Sequence, residues 1–227
     1  MEKFPQAFIY DLDGVITDTA EFHFLAWQKI ASELDIPIDR HFNEQLKGVG
    51  RMDSLNMILK LNPALSELSE KEKQNWASKK NEHYLELVET IDPSHILPGI
   101  LELLSANKEK NIKIALGSAS KNARHILGKL GLTAYFDYIV DAEKVKKGKP
   151  DPETFIVAAD ALRLSCSDCI GIEDSTAGVE AINAANMFSV GVGDAAHLSE
   201  ADYLVSDTSK LVFEEIIERY QQANAKR

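Results

Sequence analysis

Two aspartates, Asp11 and Asp13, stand one residue apart directly after a short apolar run, Ala7-Phe8-Ile9-Tyr10. If that run is a strand, its period of two turns both carboxylates the same way and leaves Leu12 facing a core. Such a pair can hold Mg2+, which prefers hard oxygen ligands. Equally, one carboxylate can attack an electrophile while the other moves protons. Taken alone, an Asp-x-Asp is more simply a solvated turn. Three further groups close later apolar runs. Gly117-Ser118-Ala119-Ser120 follows Ile112 to Leu116 and offers a hydroxyl and backbone N–H groups to a phosphate, or merely an N-cap at Ser120. Lys146-Lys147-Gly148-Lys149-Pro150-Asp151-Pro152 is either a solvated basic loop or the source of one fixed positive charge, with Pro150 stiffening the turn that aims Lys149. Glu173-Asp174-Ser175 ends the run Cys169 to Ile172. Adjacent acids there repel one another unless a cation intervenes, and capping of the next helix by Asp174 or Ser175 is the rival account.

The elements that must carry these groups alternate. Apolar runs at residues 7–10, 112–116, 138–140, 169–172 and 188–192 are continuous rather than alternating, as expected of parallel strands covered on both faces. Helical patterns lie between them at Gly99 to Lys110, Ala123 to Leu130, Pro152 to Leu162 and Ala177 to Ala185. The implied fold class is α/β, a doubly wound, Rossmann-like parallel sheet, and ligands in such sheets bind at the carboxyl ends of the strands. Residues 20 to 90 break the rhythm. Ala20 to Leu34, Arg51 to Leu61 and Glu70 to Val88 have helical periodicity, and Phe24, Trp27, Ile30, Ala31 and Leu34 form one apolar face. The predicted organisation is an α/β core domain of residues 1–18 and 93–227, with an inserted α-helical cap domain over 19–92. Phe188 to Val192 reads as the last core strand, with a loop after it, and Gln221 to Arg227 as a frayed tail.

Composition bounds the function. The 227 residues are 44% hydrophobic and 27% charged, an ordinary globular balance. A net charge of −11 disfavours general binding to nucleic acid or an anionic membrane, though local lysines and arginines can still hold a small anion. No run reaches the ~20 apolar residues that span a bilayer. The start lacks a signal-peptide pattern. Cys166 and Cys169 form one CxxC without a second pair or a His pair, so ordinary thiols are expected. The reading is a soluble cytoplasmic protein. Gly191-Val192-Gly193-Asp194-Ala195-Ala196 matches a dinucleotide fingerprint, but it lies too near the end of the chain to open such a domain.

The order of the strand-end groups is more specific than any one of them. An Asp pair, a Ser, a Lys and an acidic pair, each after a successive strand, resembles the haloacid dehalogenase-like superfamily. Asp11-Leu12-Asp13-Gly14-Val15 is similar to its first motif, Ser118 to its second, Lys149 to its third and Glu173-Asp174 to its fourth. The resemblance spans the chain, and the helical insertion looks like that superfamily's mobile cap. Asp11 to Trp27, Phe42 to Leu55 and Ser118 to Asn122 further resemble the β-phosphoglucomutase family, which interconverts β-D-glucose 1-phosphate and β-D-glucose 6-phosphate through a bisphosphate.

That resemblance implies roles. Asp11 is the nucleophile that becomes an aspartyl phosphate, and Asp13 the general acid and base. Ser118 and Lys149 offset phosphate charge. One Mg2+ is held by Asp11, the backbone carbonyl of Asp13, Asp174 and Glu173, the last directly or through water. β-glucose 1,6-bisphosphate serves as activator and intermediate. In the cap, Lys47, Gly48, Val49 and Arg51 occupy a loop before a helix starting near Asp53 or Ser54, and Arg51 grips the non-transferring phosphate. Ser120, Lys121 and Asn122, with Ala119 beside them, complete that phosphate site. Trp27 shapes the sugar pocket or simply fills the cap core. Thr19 and His23 lie at the hinge, and Ser54 and Lys80 are further candidates. The partner is a small sugar phosphate and the protein a monomer. The rival functions are a Mg-dependent sugar-phosphate phosphatase of the same superfamily and a non-catalytic phosphosugar-binding module.

Overall fold

The computed structural model describes residues 4–46, 49–65 and 67–225. The chain divides into two compact units, Met1–Asp18 with Asp92–Arg227, and Thr19–Ile91. Strand β1 (Ala7–Tyr10) opens the first unit. The second carries the helices α1 (Ala20–Glu33), α2 (Arg40–Glu44), α3 (Arg51–Leu59) and α4 (Glu70–Val88). The chain returns with α5 (Ile100–Glu109), β2 (Lys113–Leu116), α6 (Ala123–Lys129), β3 (Tyr138–Ile139) and α7 (Glu153–Leu162). It ends with β4 (Cys169–Glu173), α8 (Thr176–Ala184), β5 (Phe188–Val192), β6 (Tyr203–Val205) and α9 (Phe213–Ala225).

The first unit is a six-stranded parallel sheet in the order β3-β2-β1-β4-β5-β6. β1 is central, paired through Tyr10↔Leu116 on one side and Tyr10↔Ile172 on the other. From β1 the chain builds outward to β2 and β3, then crosses back to β4 on the other side. This reversal is the topological switch point, where a crevice opens past the strand ends. The doubly wound expectation is therefore met. Both faces of β1 are buried, which is why its run is continuous rather than alternating. Ala7 and Ile9 pack with Phe155, Ala158 and Ala159 of α7 and with Ala181 and Ile182 of α8. Phe8 stacks on Tyr10 and on Phe213 of α9, and Phe136 meets the edge of the Tyr10 ring.

Two expectations are corrected. Phe188–Val192 is not the last strand: β6 follows and pairs with β5 through Val190↔Tyr203. Its three residues, only one of them buried, are too short and too exposed to stand out by hydrophobicity. The tail is helical as far as Ala225, because Tyr220 is fully buried and Asn224 donates to the Tyr220 carbonyl at 2.9 Å. The Gly191–Ala196 segment runs from β5 into turns rather than a helix, so it lacks the helix N-terminus a dinucleotide fingerprint requires.

In the helical unit α1 packs against α4, and α3 packs against α4. The expected face of α1 is buried: Trp27, Ile30, Ala31 and Leu34 join Leu55 and Ile58 of α3 and Ala77 of α4 in one apolar cluster. A capping box starts α4, with Ser69 and Glu72 each accepting from the other's backbone N–H. Among the described residues no helix is long and apolar enough to cross a membrane.

Where α8 crosses β4 there is no room for a side chain on Gly171, since a Cβ there would lie 2.6 Å from Ile182. Gly171→Ala should cost about 1–3 kcal/mol by overpacking. Adding Ile182→Ala, which removes the Cγ1, Cγ2 and Cδ1 atoms that crowd the new methyl, should cost less in the Gly171→Ala background than alone, a coupling visible in a urea-denaturation double-mutant cycle. Simple additivity would mean that the two positions do not share this contact.

Candidate functional site

The α/β unit gathers its chemistry where β1 and β4 end side by side. The Asp11 N–H donates to the Ile172 carbonyl at 3.0 Å, and the Gly117 N–H to the Tyr10 carbonyl at 2.8 Å. These bonds extend the ladder one residue past each strand and hold the Asp11 and Ser118 backbones at the same end of the sheet. Asp11 is buried at 8% exposure and Glu173 at 1%. The Lys149 ammonium joins them, donating to Asp11 Oδ1 at 2.8 Å and to Glu173 Oε1 at 2.5 Å. It also lies 5.1 Å from the centre of the Phe155 ring. The other oxygen of Glu173 accepts from both the N–H and the hydroxyl of Ser175, each at 2.8 Å. Ser175, not Asp174, is the N-cap of α8, accepting from Gly178 N–H at 3.1 Å.

Two glycines make room for these carboxylates. Gly14 has φ +72°, and a Cβ there would sit 2.1 Å from Asp174 Oδ2. A Cβ on Gly178 would sit 1.9 Å from the Glu173 carboxylate carbon. One ligand oxygen from each of Asp11, Glu173 and Asp174 lies within 4.8 Å of the others. Burial pushes Asp11 up to about 7, with Glu173 and Asp13 adding repulsion and Lys149 opposing. Burial, followed by Glu173, Asp11 and Asp13, pushes Asp174 up to about 8. For Lys149 burial works against the charged form, but the two carboxylates outweigh it and raise its pKa.

Asp13 is half-buried, in a tight turn where it bridges Thr17 and the Gly14 N–H donates to the Thr17 carbonyl at 2.8 Å. Its carboxylate is not in the three-acid group. Ser118 is 2% exposed, and its Oγ accepts from Ser120 N–H at 3.1 Å. Ser120 does not cap α6: its Oγ accepts from Asn122 N–H at 3.3 Å, and Asn122 occupies the cap position. Ala119 is exposed, and Lys121 pairs with Glu143 at 3.1 Å on the surface.

In the helical unit Arg51 opens α3 itself, with Gly50 as N-cap, so the helix starts where the periodicity of Arg51 to Leu61 begins, not near Asp53 or Ser54, and Arg51 is not in the preceding loop. Arg51 Nη2 donates to Asn81 Oδ1 at 2.8 Å. Lys80 is 3% exposed, lies over the Trp27 and Tyr84 rings at 5.0 and 4.7 Å, and donates to His23 Nδ1 at 2.7 Å. The His23 ring packs on Tyr84 with centroids 4.2 Å apart, and Tyr84 donates to Thr19 Oγ1 at 3.1 Å. Burial, then Lys80 and Arg51, hold His23 well below the usual imidazole range. Trp27 belongs to the apolar cluster. Ser54 is buried, with its hydroxyl 3.4 Å from the Val49 carbonyl, and Val49 itself is exposed. Lys47 and Gly48 lie outside the described residues.

A haloacid dehalogenase-like hydrolase model matches residues 5–186. The chain belongs to that family. It is 48% identical to the β-phosphoglucomutase of Bacillus subtilis, over 96% of each chain. It is 49% identical to the crystal structure of a β-phosphoglucomutase from Clostridium difficile, with a TM-score of 0.94, covering 98% of this chain and all of that one. A phosphorylated carbohydrates phosphatase from Thermotoga maritima is more distant, at 30% identity over 80% of this chain and 82% of its own.

The acidic group fits a divalent cation. Three carboxylates and one ammonium leave two formal negative charges (−3 + 1 = −2). Like charges about 4 Å apart repel by ~4 kcal/mol at an effective dielectric near 20, so either protons or a cation must relieve them. All three donors are hard oxygens, the set Mg2+ takes. Sequence reasoning missed Phe155, Gly178, Tyr84 and Asn81, because their parts in the site depend on crossings between elements that no local spacing encodes.

The raised carboxylates set a pH dependence. The folded, metal-free protein keeps protons that the unfolded chain sheds near pH 4. Their stabilising effect is complete below that pH and is lost as pH rises through about 7 to 8. Mg2+ should therefore raise the melting temperature more at pH 8 than at pH 5.5, and Asp174→Asn should flatten the difference. Equal Mg2+ shifts at both pH values in calorimetry would remove this cluster as the metal site.

Proposed function

We propose that the protein interconverts β-D-glucose 1-phosphate and β-D-glucose 6-phosphate by phosphoryl transfer through Asp11, with β-glucose 1,6-bisphosphate as intermediate and activator. The observation that carries this reading is the near full-length 48% identity to a curated β-phosphoglucomutase, against 30% to a carbohydrate phosphatase. The site supplies the chemistry. An Asp11 oxygen attacks the phosphorus as the bond to the sugar oxygen breaks, and Asp13 gives that oxygen a proton. In the reverse sense Asp13 takes a proton from the attacking sugar hydroxyl, whose oxygen bonds to phosphorus while Asp11 leaves as carboxylate. The Lys149 ammonium, already on Asp11, offsets repulsion between carboxylate and phosphate. Ser118 and the following backbone N–H groups serve as donors to the phosphoryl oxygens. Asp11, Glu173, Asp174 and the Asp13 carbonyl would hold Mg2+, which supplies positive charge to the transferring phosphoryl group.

A mutase must also accept the phosphate that is not being transferred. Arg51 serves that group through its planar fork, which suits bidentate binding of phosphate oxygens. The enzyme acts as a monomer in the cytoplasm. A coupled assay with β-glucose 1-phosphate, Mg2+ and catalytic bisphosphate, following glucose 6-phosphate and free phosphate together, tests the reading. Glucose 6-phosphate should dominate, and release of mainly inorganic phosphate would make the protein a phosphatase.

Three substitutions divide the labour. Asp11→Asn should abolish turnover and phosphoenzyme formation, since it removes the attacking oxygen and a charged metal ligand. Asp13→Asn should keep Mg2+ affinity close to wild type while turnover falls ~10²-fold or more. Weakened Mg2+ binding with unchanged turnover at saturating metal would reverse the two roles. Arg51→Ala should cost ~1.5–3 kcal/mol in binding of phosphorylated sugars, one to two decades in affinity, and should weaken phosphorylation of Asp11 by acetyl phosphate much less. Equal losses in both assays would assign Arg51 to the fold.

A further inference from the structure

We propose that Asn81 is the positioning residue for Arg51, holding its guanidinium ready for an anion. This inference rests on the phosphate-gripping role given to Arg51 above. Arg51 stands at the first position of α3, a flexible side chain at a helix end, and an arginine that must be ordered at each binding event loses affinity to rotamer entropy. Its Nη2 donates to Asn81 Oδ1 at 2.8 Å in a half-buried setting. Asn81 belongs to α4, a 19-residue helix with a capping box that packs against both α1 and α3. Placing the acceptor on a long packed helix fixes the donor better than a loop would.

The neighbours of Asn81 show what that stretch of α4 is built for. Lys80, directly before it, is buried over the Trp27 and Tyr84 rings and donates to His23 Nδ1, and Tyr84 lies one turn on. Residues 80, 81 and 84 thus hold the cations Lys80 and Arg51 in one unit, and both depress His23. The chemistry of the partner matters as much as its place. Exposed Arg40 meets both carboxylate oxygens of Glu21, at 2.5 and 2.8 Å, an arrangement that cancels its charge. The Asn81 amide oxygen is an uncharged acceptor. It orients the Arg51 fork without itself adding a carboxylate to it.

The test uses full-length protein with Mg2+, β-glucose 1-phosphate and catalytic bisphosphate, comparing Asn81→Ala, Asn81→Asp, Arg51→Ala and the double variant Arg51→Ala/Asn81→Ala. Asn81→Ala should raise KM about tenfold, with a smaller effect on kcat. Asn81→Asp is nearly isosteric and keeps the acceptor, so it should melt near the wild-type temperature. It should raise KM at least as much, because its carboxylate cancels the guanidinium charge, whereas a merely structural asparagine would tolerate that change. The double variant should have a KM no higher than Arg51→Ala alone. If Arg51→Ala leaves KM unchanged, the role of Arg51 fails, and this inference with it. If Arg51→Ala raises KM while a well-folded Asn81→Asp does not, or if the two losses simply add, Arg51 keeps its role and the positioning by Asn81 is overturned. Should Asn81→Ala fail to fold, Asn81→Asp decides.

Discussion

The α/β unit depends on a charge balance at the switch point of its sheet. Asp11 and Glu173 lie buried at the ends of adjacent strands, and the Lys149 ammonium holds both. Removing one member of such a group leaves an uncompensated buried charge, which costs far more than the pair contributes. The surroundings follow from that constraint. Phe155 lies under the ammonium, Ser175 satisfies the second Glu173 oxygen, and Gly14 and Gly178 clear the space that two carboxylates occupy. What remains after Lys149 is an excess of negative charge. Burial first, and that excess after it, raises the Asp11 and Asp174 pKa values, and the excess makes the group a fitting host for a divalent cation.

The helical unit solves the opposite problem, how to bury positive charge. Lys80 is nearly inaccessible, yet it meets two aromatic faces and a ring nitrogen. Because an ammonium only donates, His23 Nδ1 must accept, which requires the neutral imidazole, and burial first, then the neighbouring cations, enforce that state. In the first unit, cations tame an acidic cluster. In the second, aromatic rings and uncharged acceptors hold cations.

This division bears on the choice between mutase and phosphatase. The proposed nucleophile Asp11, a lysine and a group of acids serve either reaction, because in the proposed mechanism both begin with the same transfer to Asp11. The reactions part at the next acceptor, a sugar hydroxyl or water. In that reading, selectivity for the sugar lies with groups that recognise the remainder of the substrate, the part proposed for Arg51.

Much of this was legible in the sequence. Continuous apolar runs marked a covered parallel sheet, and the order of Asp, Ser, Lys and acidic groups after successive strands marked its functional edge, because side-chain period and strand ends are local properties. The helical insertion was legible for the same reason, from the periodicity of Phe24, Trp27, Ile30 and Ala31. Short or half-exposed elements were not: β6 is three residues long, and the end of α9 is fixed by burial of Tyr220, a contact the local pattern does not reveal. Nor could spacing show that Lys149 bridges Asp11 to Glu173 across 138 and 24 positions, or that Arg51 meets Asn81 across 30. The sequence by itself determined which chemical groups the protein carries and at which strand ends they stand. Only the tertiary structure decided which charges neutralise one another and which stay available, because those energies depend on distances of a few ångströms and on burial, and both arise when separate elements pack.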